Sequence, residues 1–186
     1  MRRLTIKAQT VLIILIVSLL LGFLLDLVFR GVETTLIYPQ KYASTVKKYS
    51  EKYSVPQELV YAVIKTESNF KSDAVSSAGA IGLMQMLPET YEWLALRLGE
   101  RAEAALLYDP ETNIRFGTYY LQYLYSRFGS WERAIIAYNW GEGNFSEFIA
   151  KNGYTEGSFS SIPVTETRNY VKRVLDAKEK YKNLYT

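Results

Sequence analysis

The chain contains no histidine and no cysteine. That excludes Ser-His-Asp and Cys-His catalysis, histidine or thiolate metal sites, and any disulfide. If the protein is an enzyme, its proton transfers fall to Asp, Glu, Lys or Tyr. The lack of cysteine does not fix the compartment, because an oxidising space permits disulfides without requiring them. Negative charge is also missing from the first 25 positions, which carry only Arg2, Arg3 and Lys7. These three account for the whole formal net charge of +3. The remainder is balanced, so nothing in its bulk charge favours a nucleic-acid partner or anionic lipid.

Past this basic start the sequence turns apolar. Val11 to Leu25 is interrupted only by Ser18 and Gly22, and the run passes Asp26 to reach Phe29. A helix from Ala8 to Phe29 would span roughly 33 Å, enough for a bilayer. The positive-inside rule then makes residues 1–7 a cytoplasmic tail, 8–29 a transmembrane anchor and 30–40 a connector, with residues 41–186 as one external domain. The connector would reach at most about 35 Å if extended. A cleaved signal peptide is the competing reading. It would usually have a shorter apolar core and an Ala-x-Ala site, which neither Leu21-Gly22-Phe23 nor Val28-Phe29-Arg30 supplies.

The external part reads as helical throughout. An amphipathic helix covers Lys41 to Tyr53, and Pro56 starts another. Ser72 to Leu87 is loop-rich, broken by Gly79 and Gly82, before Pro88 opens a helix through Trp93 and Leu98. Asp109-Pro110 gives an N-cap followed by proline at the first helical position, and Gly129 stops the long helix through Ile114, Leu121, Leu124 and Phe128. Ser130 caps a short helix through Ala134, Ala137 and Tyr138, ended by Gly141 and Gly143. Asn144 to Ser161 is polar, with the composition of a mobile loop. Pro163 to Tyr181 closes the chain with Tyr170, Val171, Val174 and Leu175 inward. No strand pair is visible, so the fold class is all-α with little or no sheet. Sixteen tyrosines serve either as sugar-stacking rings or as core-edge residues with wet hydroxyls, and composition does not separate these uses.

One carboxylate stands out. Leu59, Val60, Val63 and Ile64 recur at helical spacing, and Glu67 lies on the same stripe near the helix end. Apolar neighbours and the negative end of the helix macrodipole both disfavour its ionised form. An acid still protonated near neutral pH is what protonation of a poor leaving group requires. The alternative is an ordinary glutamate at a helix end that bends out to water.

Four segments occur together: Glu67-Ser68-Asn69-Phe70, then GAIGLMQMLPET from Gly79 to Thr90, then Ala137-Tyr138-Asn139-Trp140-Gly141, then Glu166-Thr167-Arg168-Asn169-Tyr170-Val171. In this order and spacing they resemble the catalytic domain of the soluble lytic transglycosylase family, lysozyme-like enzymes that cut peptidoglycan. The resemblance covers about residues 45 to 180. It implies a lysozyme-like α fold in which Glu67 protonates the oxygen linking N-acetylmuramic acid to N-acetylglucosamine. Glu67 then takes a proton from the muramic C6 hydroxyl, closing a 1,6-anhydro ring. It further implies that Ser76 and Gln85 line the sugar groove, that Tyr138 with Asn139 lies near the acid, and that Glu166 stands at the far wall. Gly79 and Gly82 would let the loop pass close to the substrate, while Met84 and Met86 pack. Where the family commonly has Met, this chain has Leu87, a swap of similar volume. Asp73, Glu89 and Glu142 remain candidate second carboxylates. No cofactor or metal is implied. The partners would be peptidoglycan glycan strands, the membrane, and proteins of cell-wall synthesis or an envelope complex, with the domain outside a bacterial inner membrane. Two other functions stay open: a lysozyme-type hydrolase that uses water, and a non-catalytic peptidoglycan-binding scaffold.

Overall fold

The computed structural model describes residues 6–185. Arg2 and Arg3, assigned above to a cytoplasmic tail, lie outside the described residues. The chain divides into two compact units, Met1–Gln40 and Lys41–Thr186.

In the first unit, helix α1 runs Ile6–Val32 and continues as a π-turn over Glu33–Ile37. Its large apolar side chains are exposed from Val11 onward, and within Ala8–Ile37 an 18-residue stretch reaches a mean hydropathy of 3.0. The connector expected at residues 30–40 is therefore helical as far as Ile37. The continuation has local causes. The Arg30 guanidinium bonds Asp26 at 2.9 Å one turn back, and the Thr34 hydroxyl donates to the Arg30 carbonyl at 2.9 Å. The Tyr38 amide donates to the Glu33 carbonyl at 2.7 Å, closing the wide turn.

The second unit contains α2 (Ala43–Tyr53), α3 (Gln57–Ser68), α4 (Pro88–Arg97), α5 (Pro110–Phe128), α6 (Trp131–Trp140), α7 (Glu142–Asn152) and α8 (Thr165–Tyr185). A short 3-10 turn over Ala104–Tyr108 buries Leu107. Among the described residues the only β-type pairings are isolated bridges, Val75 with Ile81 and Ile81 with Met86.

Helix α3 is the axis of this unit. Every residue from Leu59 to Ile64 is buried, as expected of a helix surrounded by others rather than lying on a surface. It packs against α8 in the antiparallel sense: Tyr61 stacks on Tyr181 with centroids 5.1 Å apart, while Glu67 at its other end meets Tyr170. Helix α5 packs on α2 and α6. The Asp109 carboxylate accepts the Thr112 amide at 2.8 Å, Gly129 ends α5 at φ 80°, and the Ser130 hydroxyl accepts the Arg133 amide at 3.3 Å. These are the caps legible in the sequence.

Two expectations are overturned. Asn144 to Ser161 is no mobile loop. Gly141, at φ 91°, turns the chain into α7, whose Phe145 is fully buried against Phe128 and Tyr154, at 5.2 and 5.4 Å. Beyond α7 the buried Glu132 carboxylate accepts the Tyr154 hydroxyl at 2.5 Å and the Gly157 amide at 2.7 Å. Arg133 donates to the Tyr154 carbonyl at 2.8 Å, and Ile162 is buried. The segment is strapped onto α6, because its few apolar side chains and one internal carboxylate offset its polar composition. In α8, Tyr170, Val171 and Val174 are buried as expected, but Leu175 is only half-buried.

Candidate active site

Glu67 sits in the last turn of α3, half-buried, and the helix stops two residues later at Asn69 in the left-handed region, φ 49°. The next residue, Phe70, is also left-handed at φ 65° and 5 % exposed. A bulky residue rarely adopts that conformation and is held there by its surroundings. Directly before this reversal, the Ser68 hydroxyl bonds the Ile64 carbonyl at 3.2 Å and the Leu83 carbonyl at 2.8 Å. The end of α3 is thereby tied to the loop that faces it.

That loop is held by Asn113, a fully buried residue of α5. Its side-chain oxygen accepts the Met84 amide at 2.7 Å, and its nitrogen donates to the carbonyls of Ile81 at 2.9 Å and Leu107 at 2.8 Å. Gly82 lies directly against this amide: a Cβ there would fall 2.3 Å from Asn113 Nδ2. The glycine expected to let the loop approach substrate thus serves a close approach to Asn113, while Gly79 makes an ordinary turn with open space around it. Met84 and Met86 are buried packing residues.

The side chains expected to line the groove divide into two groups. Ser76 and Gln85 are spent on the loop itself. The Ser76 hydroxyl accepts the Ala80 amide at 3.0 Å. Gln85, left-handed at φ 49°, donates to the carbonyls of Gly82 at 2.9 Å and Ala74 at 3.2 Å. Asn139 is half-buried at the end of α6. Tyr138, by contrast, is close enough to Glu67 for the carboxylate to push its hydroxyl pKa upward, with burial as the larger cause. Its hydroxyl donates to the Met84 carbonyl at 2.7 Å, so towards any ligand it can only accept.

Tyr170, from α8, flanks the acid as well. Its buried hydroxyl makes no hydrogen bond of normal geometry, and its influence on Glu67 is that of a nearby dipole. Burial raises the Glu67 pKa from 4.5 to about 7, outweighing the opposing effects of Tyr170 and of the Arg173 guanidinium, while Glu166 adds slightly to the rise. Glu166, Tyr170 and Arg173 succeed one another at four and three residues, so α8 presents them on one face. Glu166 and Arg173 are exposed. Of the other carboxylates considered, Asp73 and Glu89 are exposed. Glu142 is engaged by Arg127 at 2.5 Å and by the Tyr123 hydroxyl at 2.9 Å. Rings continue outward from Tyr138 through Tyr120 and Tyr123 to Trp93, with centroids 5.3, 6.3 and 4.9 Å apart in turn. No group of three or more potential metal-ligating side chains occurs among the described residues.

Residues 44–158 match the family described as the Transglycosylase SLT domain. The chain belongs to this family. It is 35 % identical over 145 residues to the soluble lytic murein transglycosylase of Escherichia coli K12, covering 74 % of this chain and 22 % of that protein. It is 32 % identical over 167 residues to the membrane-bound lytic murein transglycosylase C of Serratia proteamaculans, covering 76 % and 47 %. The crystal structure of the 70 kDa soluble lytic transglycosylase from Escherichia coli superposes with a TM-score of 0.74 at 34 % identity, over 78 % of this chain and 25 % of that one. The chain therefore spans between about a fifth and a half of the length of these relatives. The SLT-type all-α fold expected from the sequence is the fold observed.

Asn113 and Arg173 were not singled out in the sequence. A lone asparagine beside the apolar Ile114 carries no mark of its three internal bonds, and Arg173 looks like any solvated helix charge. Two outcomes are expected of this SLT domain. Asn113→Ala strands the Met84 amide and the Leu107 carbonyl and leaves the Ile81 carbonyl with the Met86 amide alone, so denaturant unfolding should show a loss of about 3 kcal/mol or more. A loss below about 1 kcal/mol would contradict the keystone role. The second outcome concerns pH. Because the folded pKa of Glu67 lies above its ordinary 4.5, its contribution to stability is complete below about pH 4.5 and is lost as pH rises through about 7. The loss is at most ~3 kcal/mol and smaller with the partial water contact at Glu67. The Tm of Glu67→Gln should therefore gain on wild type between these pH values. Parallel Tm profiles would refute the assignment.

Proposed function

We propose that this chain is a peptidoglycan lytic transglycosylase in which Glu67 acts first as acid and then as base. The observation that carries the reading is a half-buried carboxyl, raised to about 7 and flanked by the buried Tyr170 and the half-buried Tyr138, with only the exposed Glu166 as a carboxylate neighbour. Near neutral pH such a group is substantially protonated and can give its proton to the glycosidic oxygen as the bond from the muramic C1 breaks. The resulting carboxylate is stabilised by Arg173 and by the nearby Tyr170 dipole. It then removes the proton of the muramic C6 hydroxyl as O6 bonds to C1. Glu67 ends as it began, no water is consumed, and the product closes as a 1,6-anhydro ring. Retaining and inverting hydrolases instead need a second carboxylate at a defined separation.

The relatives' names speak of murein, and Ser76, Gln85, Tyr138, Asn139 and Glu166 are proposed as groove residues on the strength of the four shared segments. The geometry divides their roles: Ser76 and Gln85 shape the loop, Tyr138 offers an acceptor beside the acid, and Glu166 biases its charge. One observation favours the hydrolase as a second reading. Glu166 is an exposed carboxylate near enough to act on Glu67, where it could orient a water.

The proposed location is a single-pass anchor in the bacterial inner membrane with the SLT domain outside. Helix α1 is long and apolar enough to cross a membrane, and similar proteins include one named membrane-bound. Since the helical run reaches Ile37, only Tyr38, Pro39 and Gln40 are left as link, about 10 Å when extended. The domain would then act on glycan close to the bilayer.

Glu67→Gln should lower turnover of purified sacculi by about 10² to 10⁴ or more while the circular dichroism spectrum is unchanged. More than about a tenth of wild-type activity in this variant would sink the acid assignment. Mass spectrometry of wild-type digests should find anhydromuramic ends, lighter by one water than reducing ends. Reducing ends as the main product would establish the hydrolase. Protease added to spheroplasts should release the domain and leave an N-terminal membrane stub, whereas a soluble cellular form beginning near Gly31 would show a cleaved signal.

A further inference from the structure

The end of α3 opposite Glu67 carries a feature that the reaction does not use. Tyr125, in the last turn of α5, stacks on Trp131, the first residue of α6, with centroids 4.1 Å apart and planes 26° apart. Tyr125 is 38 % exposed, and Trp131 is half-buried. Two open hollows, of about 430 and 440 Å³, flank this ring pair and share Ser54, Tyr125 and Trp131 as a common ridge. Each falls within the size range of small-molecule sites.

Their chemistry is specific. The first hollow adds Ser50, Glu51 and Gln57 to the ridge, and the second adds Lys52, Gln122 and Ser126. Hydroxyls and amides that both donate and accept therefore surround an aromatic platform, with one charge of each sign. Tyr and Trp also anchor protein interfaces, but there the charged residues are kept from the centre, whereas here Glu51, Lys52 and the hydroxyls and amides border the rings directly and Val55 and Pro56 are the only aliphatic lining. A sugar ring matches instead: its C–H face lies on an aromatic ring while its equatorial hydroxyls exchange hydrogen bonds with amides and hydroxyls. A second, independent observation points the same way. Ser50 is only 3 % exposed, borders the first hollow, and its hydroxyl has no hydrogen-bond partner. A buried hydroxyl left in that state is costly unless something meets it.

We propose that the Tyr125–Trp131 ring pair and its two flanking hollows form a second glycan-binding site, distinct from the groove at Glu67, that holds the protein on polymeric substrate. Two hollows on either side of one ridge suit consecutive sugars of a strand rather than a single ring. The site sits beside Gln57 at the start of α3, about 15 Å along the helix axis from Glu67 at about 1.5 Å per residue. Both sites are thus set by one rigid helix, and a strand or neighbouring strand bound at one end stays within reach of the other.

The choice of glycan as ligand rests on the transglycosylase reading, but the binding arm of the test does not. The full chain carrying Glu67→Gln, in detergent, is sedimented with purified, protein-free sacculi, alone and combined with Tyr125→Ala or Tyr125→Phe. Tyr125→Ala should weaken binding roughly three- to tenfold, and Tyr125→Phe, which keeps the ring, should restore it. With Glu67 intact, Tyr125→Ala should slow digestion of sacculi by a similar factor while cleavage of short soluble glycan fragments stays within about twofold of wild type. Unchanged sedimentation of Tyr125→Ala, or equal loss on short and polymeric substrates, would overturn the second site. Loss in both Tyr125 variants would assign the effect to folding and overturn it as well. Sacculi that bind only when their attached proteins are retained would identify a protein ligand and overturn the glycan assignment. If every form lacks lytic activity yet the sedimentation difference stands, the transglycosylase reading fails and the glycan site survives.

Discussion

The side-chain amide of Asn113 governs the geometry around Glu67. It adds to the single bridge that pairs Ile81 with Met86, supplying a partner for the Met84 amide and tying the loop's Ile81 carbonyl to the Leu107 carbonyl before α5. Buried backbone groups without partners are costly, so an irregular loop survives inside only where side chains complete its hydrogen bonds. With the loop fixed, the Leu83 carbonyl is in place for Ser68, and the Met84 carbonyl is in place for Tyr138. The acid and one of its two flanking tyrosines are therefore referenced to the same short stretch of backbone. Gly117 completes the fit: a Cβ there would meet the Met84 sulfur at 2.5 Å.

Around Glu67, burial and charge oppose each other. Loss of water raises the pKa, and Arg173 with Tyr170 pulls it back. A carboxyl held by burial alone would resist giving up its proton, and one paired tightly with a cation would seldom hold it. A proposed acid that must also serve as base needs both states accessible at one pH, which an intermediate value supplies. The left-handed backbones of Asn69 and Phe70 end the helix that carries the acid, and that of Gln85 shapes the loop tied to it. Strain of this kind is kept where surrounding structure enforces a particular direction of the chain.

Much of the fold was legible because helix ends are written in few residues. Asp109-Pro110, Gly129 and Ser130 mark their termini by caps whose chemistry is local. The failures share a cause. Asn144 to Ser161 looked polar enough to be loose, yet one buried carboxylate, Glu132, gathers the Tyr154 hydroxyl and the Gly157 amide from more than twenty residues away. The connector beyond Phe29 is helical as far as Ile37 because the Asp26–Arg30 pair and the Thr34 hydroxyl carry the helix onward. At the candidate site, Glu67 stood out through its stripe, which is a local pattern. Asn113 and Arg173 did not, since their significance lies in groups contributed by other parts of the chain. Gln85 and Ser76 were visible by resemblance, but their internal hydrogen bonds were not.

The empty histidine and cysteine columns have a further consequence for anyone measuring this protein. Those are the side chains whose ordinary pKa values lie nearest neutrality, and their absence leaves that part of the titration curve uncluttered. A carboxyl displaced to about 7 then stands where it can be followed directly, by proton uptake or by carboxyl infrared bands, without isotopic labelling of a single site. The chain carries its own spectroscopic window onto Glu67, opened by what its composition omits.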